Sequence, residues 1–300
     1  MQLQDYTLQV QELVHDLAGL DYSPTELTNF VNAGRERVAL DTHCVRILFQ
    51  NATIIANQEQ YPIFGAVIGG TVTAGGSGYS AVSPPAVTIS APPAGGTQAT
   101  AVAVVDPTGL TTAVQQINMT NWGAGYVAQP TMSIAPPGVG TPATAKAMCT
   151  FNVFDWNSIS LLNGTLRYTL RWLPFTPFQA FCRAYTQFRR PSSIWSQIQE
   201  ANITFLCPIP DQTYLVDIDA IALPTPLVAP TDVDTQIIPP TSDCVQWYAG
   251  HKAILKSQNW EQAEFLQQKY QARVEKMIMQ RQDRRIISVY QNWWRRMSRL

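Results

Sequence analysis

Charge is what this chain has least of. Asp, Glu, Lys and Arg make up 14% of its 300 residues, well below the quarter or so usual for a globular domain. So sparse a charged surface argues against an isolated, highly soluble monomer and suits a protein whose outside is largely covered by partners. Histidine is scarce too: His15, His43 and His251 are the full set. None has a second histidine or a cysteine at metal-ligand spacing, and the adjacent His43-Cys44 cannot make a site alone. Cys44, Cys149, Cys182, Cys207 and Cys244 are scattered, with no CxxC. That excludes a zinc ribbon and a disulfide framework, and fits reduced, mostly buried thiols of a cytosolic product. No run reaches the ~18 apolar residues of a membrane-crossing helix. The opening Met1-Gln-Leu-Gln-Asp-Tyr6 lacks the basic and apolar regions of a secretory leader, so sequons at Asn51, Asn118, Asn163 and Asn202 are expected to carry no glycan.

Catalytic constellations are missing as well. Gly75-Gly-Ser-Gly78 lacks the Gly-Lys-Ser/Thr ending of a phosphate cradle and runs into tyrosine and prolines instead of a helix, so it reads as a turn. Ser80 and Ser83 have no nearby candidate base. Asp217 and Asp219 share one strand face, which suits acid–base work, but no nucleophile accompanies them. Asp232-Val-Asp234 lies in a loop without the further ligands and glycine of a calcium site. The expectation is a protein that is not an enzyme and takes no metal or cofactor.

What the chain does have is a sequence that says nearly the same thing twice. Thr73-Ala-Gly-Gly-Ser-Gly-Tyr79 recurs as Thr120-Asn-Trp-Gly-Ala-Gly-Tyr126, Pro85-Ala-Val-Thr-Ile-Ser-Ala-Pro-Pro93 as Pro130-Thr-Met-Ser-Ile-Ala-Pro-Pro137, and Gly96-Thr-Gln-Ala-Thr-Ala101 as Gly140-Thr-Pro-Ala-Thr-Ala145. Their order is kept at offsets of 44 to 47 residues, which makes this a tandem repeat. Val/Thr/Ile alternation, Gly-rich turns and Pro-Pro breaks predict short strands. The span 65–148 is therefore expected to be an inserted, β-sandwich-like module that projects from its host. Tyr79, Trp122 and Tyr126 are its aromatic positions. They suit stacking on sugars and suit equally well the plugging of a small β-layer.

The host reads differently. Leu8, Val10, Leu13, Val14, Leu17 and Leu20 form an i, i+3/i+4 stripe. Ser23-Pro-Thr-Glu26 is a capping box with proline at the first helical position. It opens a helix to about Leu40 that buries Leu27, Phe30, Val31 and Val38 and turns Arg35, Glu36 and Arg37 outward. Thr53–Ile63 and Cys149–Trp156 read as strands, and Phe175–Phe188 as helix. Ile203–Cys207 reads as a strand whose hairpin partner is 213–223. Residues 223–240 form a Pro/Thr/Asp loop too extended to hold a core, and the remainder is helical from Ser242. The predicted fold class is α+β: an α-helical bundle with a small β part, residues 1–64 and 149–300, plus the inserted all-β domain.

Net charge hides an asymmetry. From His251 to Leu300 there are eleven Lys/Arg against four Asp/Glu, whereas the first 250 residues carry nine against seventeen. The tail 286–300 is aromatic as well as basic, with Trp293, Trp294, Arg295, Arg296 and Arg299. Trp and Arg dominate protein–protein hot spots. Interleaved aromatics and arginines also suit nucleic-acid stacking, and a tryptophan pair can simply cover its own helix.

Four stretches, Leu27–Asp41, Thr53–Ile63, Ile203–Ala222 and Asp243–Arg273, give the host a recognisable order. The most telling is Asp243-Cys-Val-Gln-Trp-Tyr-Ala-Gly-His-Lys-Ala-Ile-Leu-Lys-Ser-Gln258, followed by Ala263-Glu-Phe-Leu-Gln-Gln-Lys-Tyr270. Over about two thirds of its length the chain resembles the head-to-tail adaptor proteins of tailed bacteriophages, the group akin to tail tubular protein A. The repeat in turn resembles small β-modules inserted in phage structural proteins. The resemblance implies a virion protein of the neck between capsid and tail, made in the bacterial cytoplasm. It also implies a ring of twelve copies beneath the portal protein that extends the DNA channel and docks a tail or nozzle protein. DNA would pass without sequence-specific binding, and no membrane is involved. The portal contact expected of Trp293, Trp294, Arg295, Arg296 and Arg299 follows from their charge contrast with the acidic body. The rival reading is a carbohydrate- or host-surface-binding tail component that uses the β-repeat.

Overall fold

The structure, a computed structural model, describes residues 1–16, 19–106, 112–183 and 188–284. The chain opens with α1 (Leu3–Val14) and α2 (Pro24–Thr42), then runs through β1 (Arg46–Ile54) and β2 (Gln60–Pro62). The repeat follows as β3 (Val67–Ala74), β4 (Val87–Ile89), β5 (Thr100–Val105), β6 (Val114–Asn121), β7 (Met132–Ile134) and β8 (Thr144–Cys149). Next come β9 (Val153–Asn163), β10 (Leu166–Thr169), β11 (Arg171–Trp172) and the short α3 (Phe175–Phe181). After them lie β12 (Ile194–Ile198), β13 (Ile203–Cys207) and β14 (Tyr214–Ala222), before α4 (Val245–Lys256) and α5 (Trp260–Arg284).

Among the described residues, fourteen strands in four sheets stand against five α-helices, so the expected helical bundle with a small β part is corrected to a mostly β protein. The reason is the host, which holds far more strand than its sequence suggested. The nine-residue strand Arg46–Ile54 starts ahead of the strand expected at Thr53, and the eleven-residue strand Val153–Asn163 runs past the Trp156 end expected for it. Two compact units result, Met1–Val45 with Leu223–Leu300, and Arg46–Ala222. The units divide at 45/46 and 222/223, and the repeat lies within the second of them.

The first unit is helical. Ser23 Oγ accepts from the Glu26 N–H at 3.3 Å while Glu26 Oε2 accepts from the Ser23 N–H at 3.0 Å, the reciprocal box that the sequence predicts at this start. The stripe on α1 is shifted from the expected one: Leu3, Tyr6 and Val10 are buried, whereas Leu8 and Leu20 are exposed. On α2, Gly34 permits a close helix approach, since a Cβ there would meet the Val245 carbonyl at 2.9 Å.

The second unit is built from sheets. One has the order β1-β14-β9-β10 and another β11-β12-β13-β2. The predicted hairpin between Ile203–Cys207 and 213–223 does not form: β14 lies between β1 and β9, and β13 pairs with β12 and β2. Among the described residues of the span expected to be helical, Phe175–Phe188, seven are so, in α3. The repeat supplies a sheet of order β5-β6-β3-β8 and the two-stranded ribbon β4-β7.

Candidate functional site

The two copies of the repeat do not form two modules in series. They interlock around a pseudo-two-fold axis. Gly70 pairs with Ile117 and Thr88 with Ser133, each with its own counterpart in the other copy. The last strand of each copy joins the first strand of the other, β5 to β6 and β8 to β3. One shared core results, holding Tyr79, Val105, Val114, Ile117 and Ile134.

The tyrosines are staples across this exchange. Tyr79 Oη accepts from the Ala143 N–H at 2.8 Å, and Tyr126 Oη accepts from the Ala99 N–H at 3.0 Å. Tyr126 Oη also donates to the Ser90 carbonyl at 3.1 Å. Both rings are buried, so neither face is offered to a sugar. Tyr79→Phe is expected to lower stability by about 1–3 kcal/mol because it leaves a buried N–H unpaired, and Tyr126→Phe by more because it forfeits two bonds. Urea unfolding of the two variants checks both the sizes and their order.

Trp122 breaks the symmetry, since the matching residue is Gly75. Its ring is 1% exposed, its Nε1–H donates to the Thr53 carbonyl at 2.7 Å, and it lies 4.5 Å from the Tyr61 ring and 6.1 Å from Trp156. Burial raises the Tyr61 phenol well above its ordinary value. The ends of the module are tied as well: the Gly65 N–H donates to the Thr150 carbonyl at 3.2 Å and the Thr150 N–H to the Ala66 carbonyl at 2.9 Å. The two ends of the repeat thus lie side by side, and a tryptophan roots it in the strands around it.

The remaining candidates are held structurally. His15 and His43 cap α1 and α2 in the left-handed conformation, and His251 Nδ1 sits 2.8 Å from the Ala263 carbonyl oxygen. Asp217 pairs with Arg167 at 2.9 Å, and Asp219 with Arg46. Asp232 accepts the Val228 and Ala229 N–H groups, both at 2.8 Å, which lower its pKa. Among the described residues no group of three His, Cys, Asp or Glu is placed to hold a metal ion, and no helix is long and apolar enough to cross a membrane. None of the five cysteines is in a disulfide. Burial pushes the thiols of Cys149 and Cys244 up to about 11, and that of Cys207, beside Cys182, to about 12. Trp293, Trp294, Arg295, Arg296 and Arg299 lie outside the described residues.

The sequence reading missed the ion pair that organises the helical unit. Arg35, assigned to the outer face of α2, is 1% exposed and grips Asp234 through Nε and Nη2 at 2.8 and 2.9 Å. Its Nη1 donates to the Thr225 carbonyl at 2.7 Å. The signal was present: Arg35 lies one helical turn beyond Val31, in the row Leu27, Val31, Arg35, Val38. The 223–240 loop, expected to hold no core, buries Leu227 and Ile237 around this pair. Neither the protein-family models nor the curated proteins compared with the chain match it.

Proposed function

We propose that the chain is a structural virion protein, a head-to-tail adaptor whose copies close into a ring beneath the portal, extend the DNA channel and dock the tail. The observation that carries this reading is the outer face of α5. Its inner row, Ala263, Leu266, Tyr270 and Val274, is buried. On the opposite side Phe265, Ala272 and Met279 recur every seven residues and stay exposed, Phe265 at 52% and Met279 at 61%. A heptad-spaced apolar row outside the one that serves the helix's own core suits a neighbouring helix. Head-to-tail contacts of that kind generate a ring when the rotation closes.

The resemblance to phage adaptors supplies the rest: twelve copies, the portal above, a tail or nozzle protein below. In this reading Trp293 and Trp294 anchor the tail on the portal while Arg295, Arg296 and Arg299 pair with its acidic groups. The excess of acidic residues before His251 keeps passing DNA from adhering, because binding to the duplex rests on cationic contacts to its phosphates. Light scattering and negative-stain images of the purified chain, alone and with portal, test the proposal. A ring is expected, and Phe265→Glu with Met279→Glu is expected to disperse it to monomers. Removal of 288–300 is expected to abolish portal binding. A monomer that ignores the portal overturns the reading.

A further inference from the structure

Where β1 meets the strands of the repeat, a groove of about 500 Å³ opens, within the size range of small-ligand sites. Two backbone irregularities shape it. The ladder between β3 and β6 holds the single pair Gly70 and Ile117, and Thr71-Val72 and Gln115-Gln116 line the groove beside it. Across from them the register of β1 shifts between Phe49 and Ala52, and Asn51 stands at φ +58°. That region is uncommon for any residue but glycine, and a bulge re-aims the side chains it carries. The Asn51 N–H is held by Asp217 Oδ1 at 3.0 Å. Asp217 is in turn neutralised by Arg167, so the charge behind the bulge is paired.

The lining is polar without being charged. Gln50, Asn51, Gln115 and Gln116 bring four amides and Thr71 a hydroxyl, and Leu48, Val72 and Met148 add apolar surface to the lining. Gln116 Nε2 donates to Asn118 Oδ1. The side chains of Gln50, Asn51, Thr71 and Gln115 are exposed and engaged by no other described residue. An amide offers a donor and an acceptor side by side, which matches neighbouring hydroxyls that each donate and accept, and the apolar part of the lining suits the C–H face of a pyranose ring. Nothing cationic lines the groove to hold a phosphate, sulfate or carboxylate. A peptide strand would need a continuous sheet edge. The edge strand here, β1, is interrupted by its bulge, and β3 and β6 both lie inside their sheet.

We propose that this groove binds a neutral carbohydrate, a hexose or N-acetylhexosamine unit of a surface glycan. The site uses none of Tyr79, Trp122 and Tyr126, and it stands or falls independently of ring assembly. Calorimetric titration of the full chain with maltohexaose, cellohexaose, mannohexaose and chitohexaose tests it, with oligogalacturonate and an extended neutral hexapeptide as controls. At least one neutral hexamer is expected to bind. Gln50→Ala and Gln115→Ala are each expected to weaken it roughly five- to tenfold, the effect of one lost hydrogen bond. Asn51→Gly removes the amide while easing the backbone, so weaker binding by a variant of unchanged or higher melting temperature marks the side chain as a contact. Silence from all four hexamers, preference for either control, or affinity untouched by the three substitutions would falsify the proposal.

Discussion

Trp122→Ala is expected to destabilise the Arg46–Ala222 unit by about 3–5 kcal/mol, the range for deleting a buried aromatic. Three contributions point the same way. The indole is almost fully buried against Tyr61 and Trp156, so truncation leaves a cavity between rings that are themselves anchored. Tyr61 Oη donates to the Ile55 carbonyl at 3.0 Å, and Trp156 Nε1–H to the Ile63 carbonyl at 3.2 Å, which limits their collapse into the space. The Thr53 carbonyl also loses its donor. Trp122→Phe separates these effects, because it keeps most of the volume and forfeits only the bond, for about 1–3 kcal/mol. Urea unfolding read by tryptophan fluorescence and circular dichroism measures both. The same geometry bears on removing residues 66–148 and joining the ends with a short linker. Gly65 and Thr150 are close enough for such a join, but the cut uncovers Tyr61 and Trp156 together. Aggregation is therefore expected in place of an intact host. A soluble deletion as stable as the full chain would show that Trp122 contributes little.

Local chemistry was legible in the sequence wherever it is decided locally. The Ser23/Glu26 box, the Gly-Tyr turns and the short strands of the repeat all depend on residues close in sequence or repeated along it. What escaped was set by distant partners. Tyr214–Ala222 has the alternation of a hairpin strand, but its neighbours are fixed by β1 and β9, far away along the chain. The exchange of last strands between repeats is invisible for the same reason: a tandem repeat reads identically whether its copies stack or interlock. Arg35 was misassigned because its charge outweighed its place in an apolar row, and its partner Asp234 sits in a loop where proline and polar composition masked a core. The groove left a fainter trace in the paired amides Gln50-Asn51 and Gln115-Gln116, which only the fold brings face to face.

Asp234→Ala is expected to cost the helical unit about 3–5 kcal/mol, the penalty of leaving one partner of a buried ion pair uncompensated. Asp234 serves more groups than Arg35. Its oxygens also accept from the Ile237 N–H at 3.0 Å, the Gln236 N–H at 3.1 Å and Tyr6 Oη–H at 3.2 Å. Arg35→Met leaves these in place, and the double change Arg35→Met with Asp234→Leu strands them. The double variant is therefore expected to recover only part of the loss, unlike ion pairs that hydrophobic replacements rescue fully. Burial pushes the Asp234 carboxyl up, but the Arg35 guanidinium and the backbone N–H groups outweigh it and hold the pKa below the ordinary value. A depressed folded pKa gives stability that is fully present above the unfolded value of ~3.9 and is lost as pH falls through the folded one. The wild type should accordingly weaken on acidification below about pH 4. Asp234→Asn should be weaker at neutral pH and flatter through the acid limb, because the residue that titrates is gone. Urea titrations at neutral pH and through the acid limb compare the two slopes. Parallel curves would mean that other carboxylates govern the acid limb and that Asp234 matters through its geometry alone.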